Sequence, residues 1–295
     1  MNTRPRGPRA DWRPQRATLD LLEQVAHVLA EYSDHLPLTL RQVFYRLVAE
    51  HGFDKTERSY ERLLDAMGNA RRAGIIPFDS IRDDGITDVS PSAYSGKEHF
   101  LEVVQGAASR FRLNRQVGQA ATIEVWCEAA GMVPQLVRVA DPYGISVYSS
   151  SGFPSITAKH QAAERVRDEG AVIFLHIGDH DPSGVHVFSS FEEDVTAWVD
   201  SLGGFGLFER VAVTPAQVDA YDLATAPAKK TDRRSFDGET CQAEALGPDI
   251  LAAILTTAIE SHFDLTAYRE TLRVEDEQRA ELMVEVDAML LRGRP

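Results

Sequence analysis

Asp179 and Asp181 stand one residue apart at the tip of an apolar run, "AVIFLHIGDHDPSG", residues 171–184. The run reads as a strand and the Pro-Ser-Gly after it as a turn. On an extended backbone a spacing of two puts both carboxylates on one side. A second apolar run, "ATIEVWCEAAG", also ends in an acid, Glu128. Were the two strands neighbours, three carboxylates would converge, and anions that close persist only with a cation or a proton among them. Oxygen-only ligands favour Mg²⁺ or Mn²⁺ over zinc, and carboxylate-held Mg²⁺ is typical of phosphoryl chemistry. The expectation is a divalent ion on Glu128, Asp179 and Asp181 that in turn holds a phosphate.

Other readings of these residues stay open. In one, the acids are turn formers and helix caps. In another, Asp-x-Asp after a strand marks an aspartyl-nucleophile phosphatase, although that motif usually opens its domain. "DHDPSG" also resembles the start of an EF-hand loop, but its twelfth position is Ser190 rather than Glu, and a strand precedes it. His176, His180 and His186 suggest zinc, yet on a strand His176 and His180 point away from the aspartates' side.

The elements that must position the acids alternate. "ATIEVW", "ISVYSS", "AVIFLHIG" and "ERVAVT" read as strands, separated by the helical stretches "AAGMVPQLVRVADPYG", "PSITAKHQAAERVRDEG" and "PSGVHVFSSFEEDVTAWVDSLG". This order implies an α/β fold with a parallel sheet and right-handed crossovers. Functional groups gather outside the carboxyl ends of such strands. A loop, "TAPAKKTDRRSFDGET", follows with Lys229, Lys230, Arg233 and Arg234, which are expected to hold DNA phosphates, then two helical stretches to the end. Between them, Glu244 of "QAEALGPD" offers one more acid.

Upstream the pattern is helical. "TLDLLEQVAHVLAEY" aligns Leu22, Val25, Ala26, Leu29 and Tyr32. "LPLTLRQVFYRLVAEHG" carries a Thr39–Gln42 capping box, a core face of Leu40, Val43, Phe44, Leu47 and Val48, and a stop at Gly52. "DKTERSYERLLDAMGNARRAG" places Arg58, Arg62, Asn69 and Arg72 opposite its apolar side. Three helices followed by "IIPFDSIRDDGI" as a wing suggest a winged-helix module whose Arg58, Arg62 and Arg72 touch DNA; the plainer reading is a solvated helix face. Residues 1–16 read as a flexible basic arm.

The net charge of −14 argues against a nucleic-acid binder when taken alone. The charge is uneven, however: the first sixteen residues hold five arginines against one aspartate. Two cysteines, Cys127 and Cys241, fit a reducing cytoplasm. No run of 18 apolar residues predicts a membrane span, and the arginine-rich start does not read as a secretory signal.

Taken together, "EVWCEAAG", "SSSGFPSITAKH" and "IFLHIGDHDPSG" resemble a Toprim domain over about residues 121–215. The match consists of a strand ending in Glu, a Gly152-Phe153-Pro154 turn and a strand ending in Asp-x-Asp. The Gly-Phe-Pro and Pro-Ser-Gly turns are most similar to the A subunit of topoisomerase VI, the meiotic double-strand-break protein and their short mini-A relatives. The resemblance implies that Glu128, Asp179 and Asp181 bind Mg²⁺ (or Mn²⁺). It also implies a winged-helix domain ahead of Toprim, with the catalytic tyrosine in an Arg-x-x-x-Tyr helix; "LRQVFYRL" supplies Arg41 and Tyr45 at that spacing. Read from the residues alone, Arg41 is the i−4 neighbour of Tyr45. Its guanidinium would favour a phenolate, whose acid has a pKa of about 10, and would offset charge in a phosphorane-like transition state. The plainer reading is a tyrosine at the edge of a helix core. One departure is Ala129, where the family has Lys after the first acid.

The organisation so implied is a winged-helix domain (17–115), a Toprim domain (120–222), and a basic loop with a C-terminal helical extension (223–295). The implied activity is cleavage of double-stranded DNA by tyrosine transesterification, in a homodimer whose sites are shared between protomers. No G-x-x-x-x-G-K-[ST] motif is present, so strand passage would require a separate ATPase subunit. Two alternatives stand beside it: a hydrolytic nuclease using water, and a DNA-binding protein with a vestigial metal site.

Overall fold

The computed structural model describes residues 8–9, 11–82, 91, 93–149, 152–228, 236 and 238–292. Apolar spacing dictates the first helix: α1 (Arg16–Glu31) buries Leu21, Leu22, Val25, Val28 and Leu29, while Ala26, expected on that stripe, is exposed. β1 (Leu38–Thr39) leads into α2 (Leu40–Glu50). The expected capping box is formed, with Gln42 N donating to Thr39 Oγ1 at 3.1 Å and Thr39 N to Gln42 Oε1 at 2.9 Å. Two amides that would otherwise start the helix unpaired are thereby satisfied. α3 (Glu57–Arg72) begins at the Thr56 cap. Past its end Gly74 takes a φ of 73°, a left-handed conformation that glycine adopts without strain. β2 (Ile81–Arg82) pairs in parallel with β1; residues 83–86 of the expected wing lie outside the described residues.

The described part of the N-terminal arm is docked rather than free. Arg9 N donates to Arg72 O at 2.8 Å, the Arg9 guanidinium to Asn69 Oδ1 at 2.7 Å, and Trp12 packs on the core. Its composition alone suggested solvation; acceptors on α3, some sixty residues away in sequence, hold it instead.

Four parallel strands carry the acids. β3 (Thr122–Cys127), β4 (Ser146–Ser149), β5 (Ala171–Ile177) and β6 (Phe205–Ala212) lie in the order β4-β3-β5-β6. α4 (Lys97–Ser109) precedes the sheet, and α5 (Val133–Ala140), α6 (Ile156–Glu169) and α7 (Pro182–Leu202) alternate with its strands, as the pattern predicted. Pleating sorts the side chains. Ile123, Val125, Cys127, Ile173, Leu175 and Ile177 face the cluster that also takes in residues of α1–α3, α5 and the later helix Pro248–His262. Trp126, Val172 and Phe174 face the cluster of Ala162, Ala163 and Val166 from α6 and Phe191, Val195 and Val199 from α7. One polar side chain buried on this face, Glu124, is held by Arg165 and accepts from Trp126 Nε1 at 2.9 Å.

The helical N-terminal part and the sheet therefore share one apolar core rather than two. α8 (Pro215–Ala220) follows β6. The antiparallel pair β7 (Ala226–Pro227) and β8 (Glu239–Thr240) brackets the basic loop, whose Lys229, Lys230, Arg233 and Arg234 lie outside the described residues. α9 (Pro248–His262) packs near α5 and β6, whereas α10 (Leu265–Arg292) pairs with α4. α4, which lies within the expected N-terminal span of 17–115, is tied to α10 by Gln105, donating to Asp287 at 2.9 Å. Glu275 of α10, 1% exposed, accepts from Leu113 N at 3.0 Å, from Arg115 Nη2 at 2.6 Å and from Arg279. Among the described residues no single helix is long and apolar enough to cross a membrane.

Candidate functional site

β3 and β5 are neighbours, with Cys127 opposite Ile177, so Glu128 emerges beside Gly178. Glu128 N donates to Ile177 O at 3.0 Å, and its Oε2 accepts from Asp179 N at 3.4 Å. Two glycines make room for this carboxylate. A Cβ at Gly178 would lie 3.0 Å from Glu128 Oε2 and 2.6 Å from His176 Cε1; one at Gly184 would lie 3.0 Å from Glu128 Oε2 and 2.2 Å from Asp179 O.

The two aspartates have different partners. Asp179 Oδ1 accepts from Ala243 N at 2.8 Å. Asp181 caps α7, accepting from Gly184 N at 2.7 Å, which is the capping role weighed for it from the sequence. Among the described residues no group of three or more His, Cys, Asp or Glu side chains is arranged to hold a metal ion, and none of the three acids has an ion-pair partner. Their charges still oppose one another. Burial, then Asp179 and Asp181, pushes the Glu128 carboxyl up to about 7. Burial and Asp181 raise Asp179. Glu244, 7% exposed, is raised by burial and Asp179. All-oxygen donors with unneutralised charge match a hard divalent cation in chemistry; each aspartate keeps one carboxylate oxygen beyond the one engaged by a backbone amide.

A half-buried cation, Arg210 of β6, lies behind this group. It donates to backbone only: Nε to Val213 O at 3.3 Å, Nη1 to Gly184 O at 3.1 Å, Nη2 to Gly178 O at 3.1 Å and to Asp179 O. Four carbonyls from three segments are thus gathered on one guanidinium, a geometry its fixed fork of donors suits. From the sequence Arg210 was one polar residue in a strand, with nothing to mark it.

The segment after β8 joins this turn to α2. His180 and Cys241 exchange backbone hydrogen bonds at 2.8 and 2.9 Å. Gln242 Oε1 accepts from Tyr45 Oη at 2.6 Å and from Arg41 Nη1 at 3.2 Å. Ala245 O accepts from Arg46. Tyr45 and the acids are therefore adjacent within one chain, where the resemblance placed them on different protomers. Tyr45 is 5% exposed, inside the core rather than at its edge, because this segment covers the flank of α2 that α1 and α3 leave open. Burial first, then the charge of Glu244, drives its hydroxyl well above the ordinary phenol value, against the opposite pull of Arg41. Lys55 Nζ lies 5.4 Å from the Tyr45 ring centroid and donates to Ala224 O at 2.7 Å.

Two cavities flank the segment. One of about 630 Å³ is lined by Arg41, Tyr60, Arg82, Glu128, Asp179 and Glu244 among others. The other, of about 160 Å³, is lined by Tyr45, Lys55, Asp181 and Gln242 among others. Of the α3 arginines, Arg58 is exposed, Arg72 is exposed at the C-terminal end, and Arg62 is engaged, donating to Ala17 O at 3.1 Å with its guanidinium 5.9 Å from the Phe53 ring centroid. His176 is buried against Phe188, and the His180 ring lies tilted beside Phe236. Comparison with protein-family models gives no match to this chain, and comparison with curated proteins gives none either.

Proposed function

We propose that this chain cleaves DNA by a divalent-metal-dependent transesterification in which Tyr45 attacks a backbone phosphate. One observation carries the reading: Gln242 and Ala243, adjacent residues, hold Tyr45 and Asp179 respectively, so the candidate nucleophile and the acids adjoin one segment. Glu128, Asp179 and Asp181 would hold Mg²⁺ or Mn²⁺. Such an ion, when bound, neutralises phosphate oxygens. Arg41, exposed on α2 and lining the larger cavity, supplies a positive charge for the developing phosphorane. Gln242 orients the Tyr45 hydroxyl but cannot take its proton. The phenol stays neutral until that proton passes to water or to Glu244, whose charge reaches Tyr45. As the Tyr45 oxygen bonds to phosphorus the P–O3′ bond breaks and the 3′-oxygen leaves, taking up a proton from water as a 3′-hydroxyl, so that a covalent 5′-phosphotyrosyl product divides one difficult step into two. A homodimer that cuts both strands, with an ATPase subunit for strand passage, completes the proposal.

Tyr45's burial favours a second reading, in which water attacks and the tyrosine only supports the site. End-labelled duplex DNA incubated with Mg²⁺ or Mn²⁺ and then denatured in detergent separates the two. Label that migrates with the protein and disappears in Tyr45→Phe supports transesterification. Free cut ends that persist in Tyr45→Phe and vanish in Asp179→Ala support hydrolysis. DNA left intact by the full chain refutes both for the isolated protein.

A further inference from the structure

Arg210 does something that neither the proposed nucleophile nor the acids account for. A guanidinium on a strand would ordinarily reach solvent or pair with a carboxylate. Here it lies behind the acid turn with all its described bonds to carbonyls of residues 178, 179, 184 and 213. Those four carbonyls belong to the end of β5, the first turn of α7 and the end of β6. Its charge acts on Glu128, Asp179 and Asp181 at once, though it is bonded to none of their side chains. Neutral donors could have bridged the same carbonyls. A permanent charge there also offsets carboxylates that would otherwise repel one another in the folded chain.

We propose that Arg210 is the internal counter-charge of the acid centre: a positioning residue that shapes the 178–184 turn and weakens the centre's hold on a divalent cation. This rests on the metal-dependent reading above. The two effects oppose each other. Removing the charge should make the metal-free chain less stable and the metal-binding chain tighter, because the bound cation no longer faces a fixed positive neighbour. A residue with only a structural role would lower both.

The test uses the full chain freed of metal by chelator, with Mn²⁺ itself as the probe. Binding is followed by depletion of the free Mn²⁺ electron-paramagnetic-resonance signal, and folding by thermal melting. Arg210→Gln should melt lower than wild type in chelator yet bind Mn²⁺ on the order of tenfold tighter. Arg210→Lys, which keeps the charge and loses the fan of bonds, should melt lower and bind Mn²⁺ within about twofold of wild type. If Arg210→Gln is folded but binds Mn²⁺ no better than wild type, the proposal is overturned. Should that variant not fold, Glu128→Gln placed in the Arg210→Gln background must restore folding; failure to do so also overturns it. Wild type that binds no Mn²⁺ removes the metal-dependent reading itself, while recovery of stability in the double variant would still uphold the counter-charge.

Discussion

Glu128→Gln should make the metal-free protein more stable at alkaline pH. The Glu128 carboxyl sits at about 7 in the folded chain against an ordinary 4.5. A raised value means that folding favours the protonated form. Its stabilising contribution is complete below about 4.5 and is lost as pH rises through 7. At pH 8 the ionised group opposes folding by roughly 3 kcal/mol at full strength. The group is only half-buried, so solvent screening reduces this to about 1–2 kcal/mol. Glutamine retains an oxygen that can accept from Asp179 N and carries no charge. Melted in chelator at pH 8, the variant should gain roughly 2–3 °C over wild type, and the gain should shrink toward zero near pH 4.5. Mg²⁺ should then raise the wild-type melting temperature and leave the variant's unchanged. A variant that melts lower than wild type at pH 8, or by a difference that does not change with pH, would refute the electrostatic reasoning.

Three further outcomes follow from named contacts. Tyr45→Phe loses the 2.6 Å bond to Gln242 and should cost about 1 kcal/mol in chemical denaturation, with the fold unchanged by circular dichroism. Gly184→Ala would press a methyl group to 2.2 Å from Asp179 O; a loss of about 1–3 kcal/mol on denaturation, with weaker Mn²⁺ binding, is expected. Glu275→Ala strands Arg115, whose side chain is 11% exposed, and should cost about 3–5 kcal/mol by the same measurement, with protease cutting first between α4 and β3.

Local chemistry carried much of the fold into the sequence. The Thr39 box, the Thr56 cap and the four strand runs are short-range signals, and the near-continuous apolar runs "TIEVWC" and "AVIFLHI" suit strands buried on both faces of the sheet. Glu128 and the aspartates were legible because each follows its strand directly. Tyr45's burial was not: its cover comes from Gln242, 197 residues away, and helical periodicity says nothing of a loop folding back. Arg210 was invisible for the same reason, since its acceptors are main-chain carbonyls common to every residue. α4, largely exposed, is joined to α10 by one described side-chain hydrogen bond, Gln105 to Asp287, and leaves no strong stripe to read.

The shared core has a consequence for how a duplex could reach Tyr45. The sheet face bearing Ile123, Val125, Ile173 and Leu175 shares one buried cluster with α1–α3, so swinging α1–α3 away as a rigid lobe would open that cluster, at about 25 cal/mol for each Å² of apolar surface wetted. Displacing residues 241–245 breaks a handful of hydrogen bonds and wets far less apolar surface. Under the proposed transesterification, access to the tyrosine would run through the peeling of one short strap, with the sheet and its covering helices as a fixed anvil behind it.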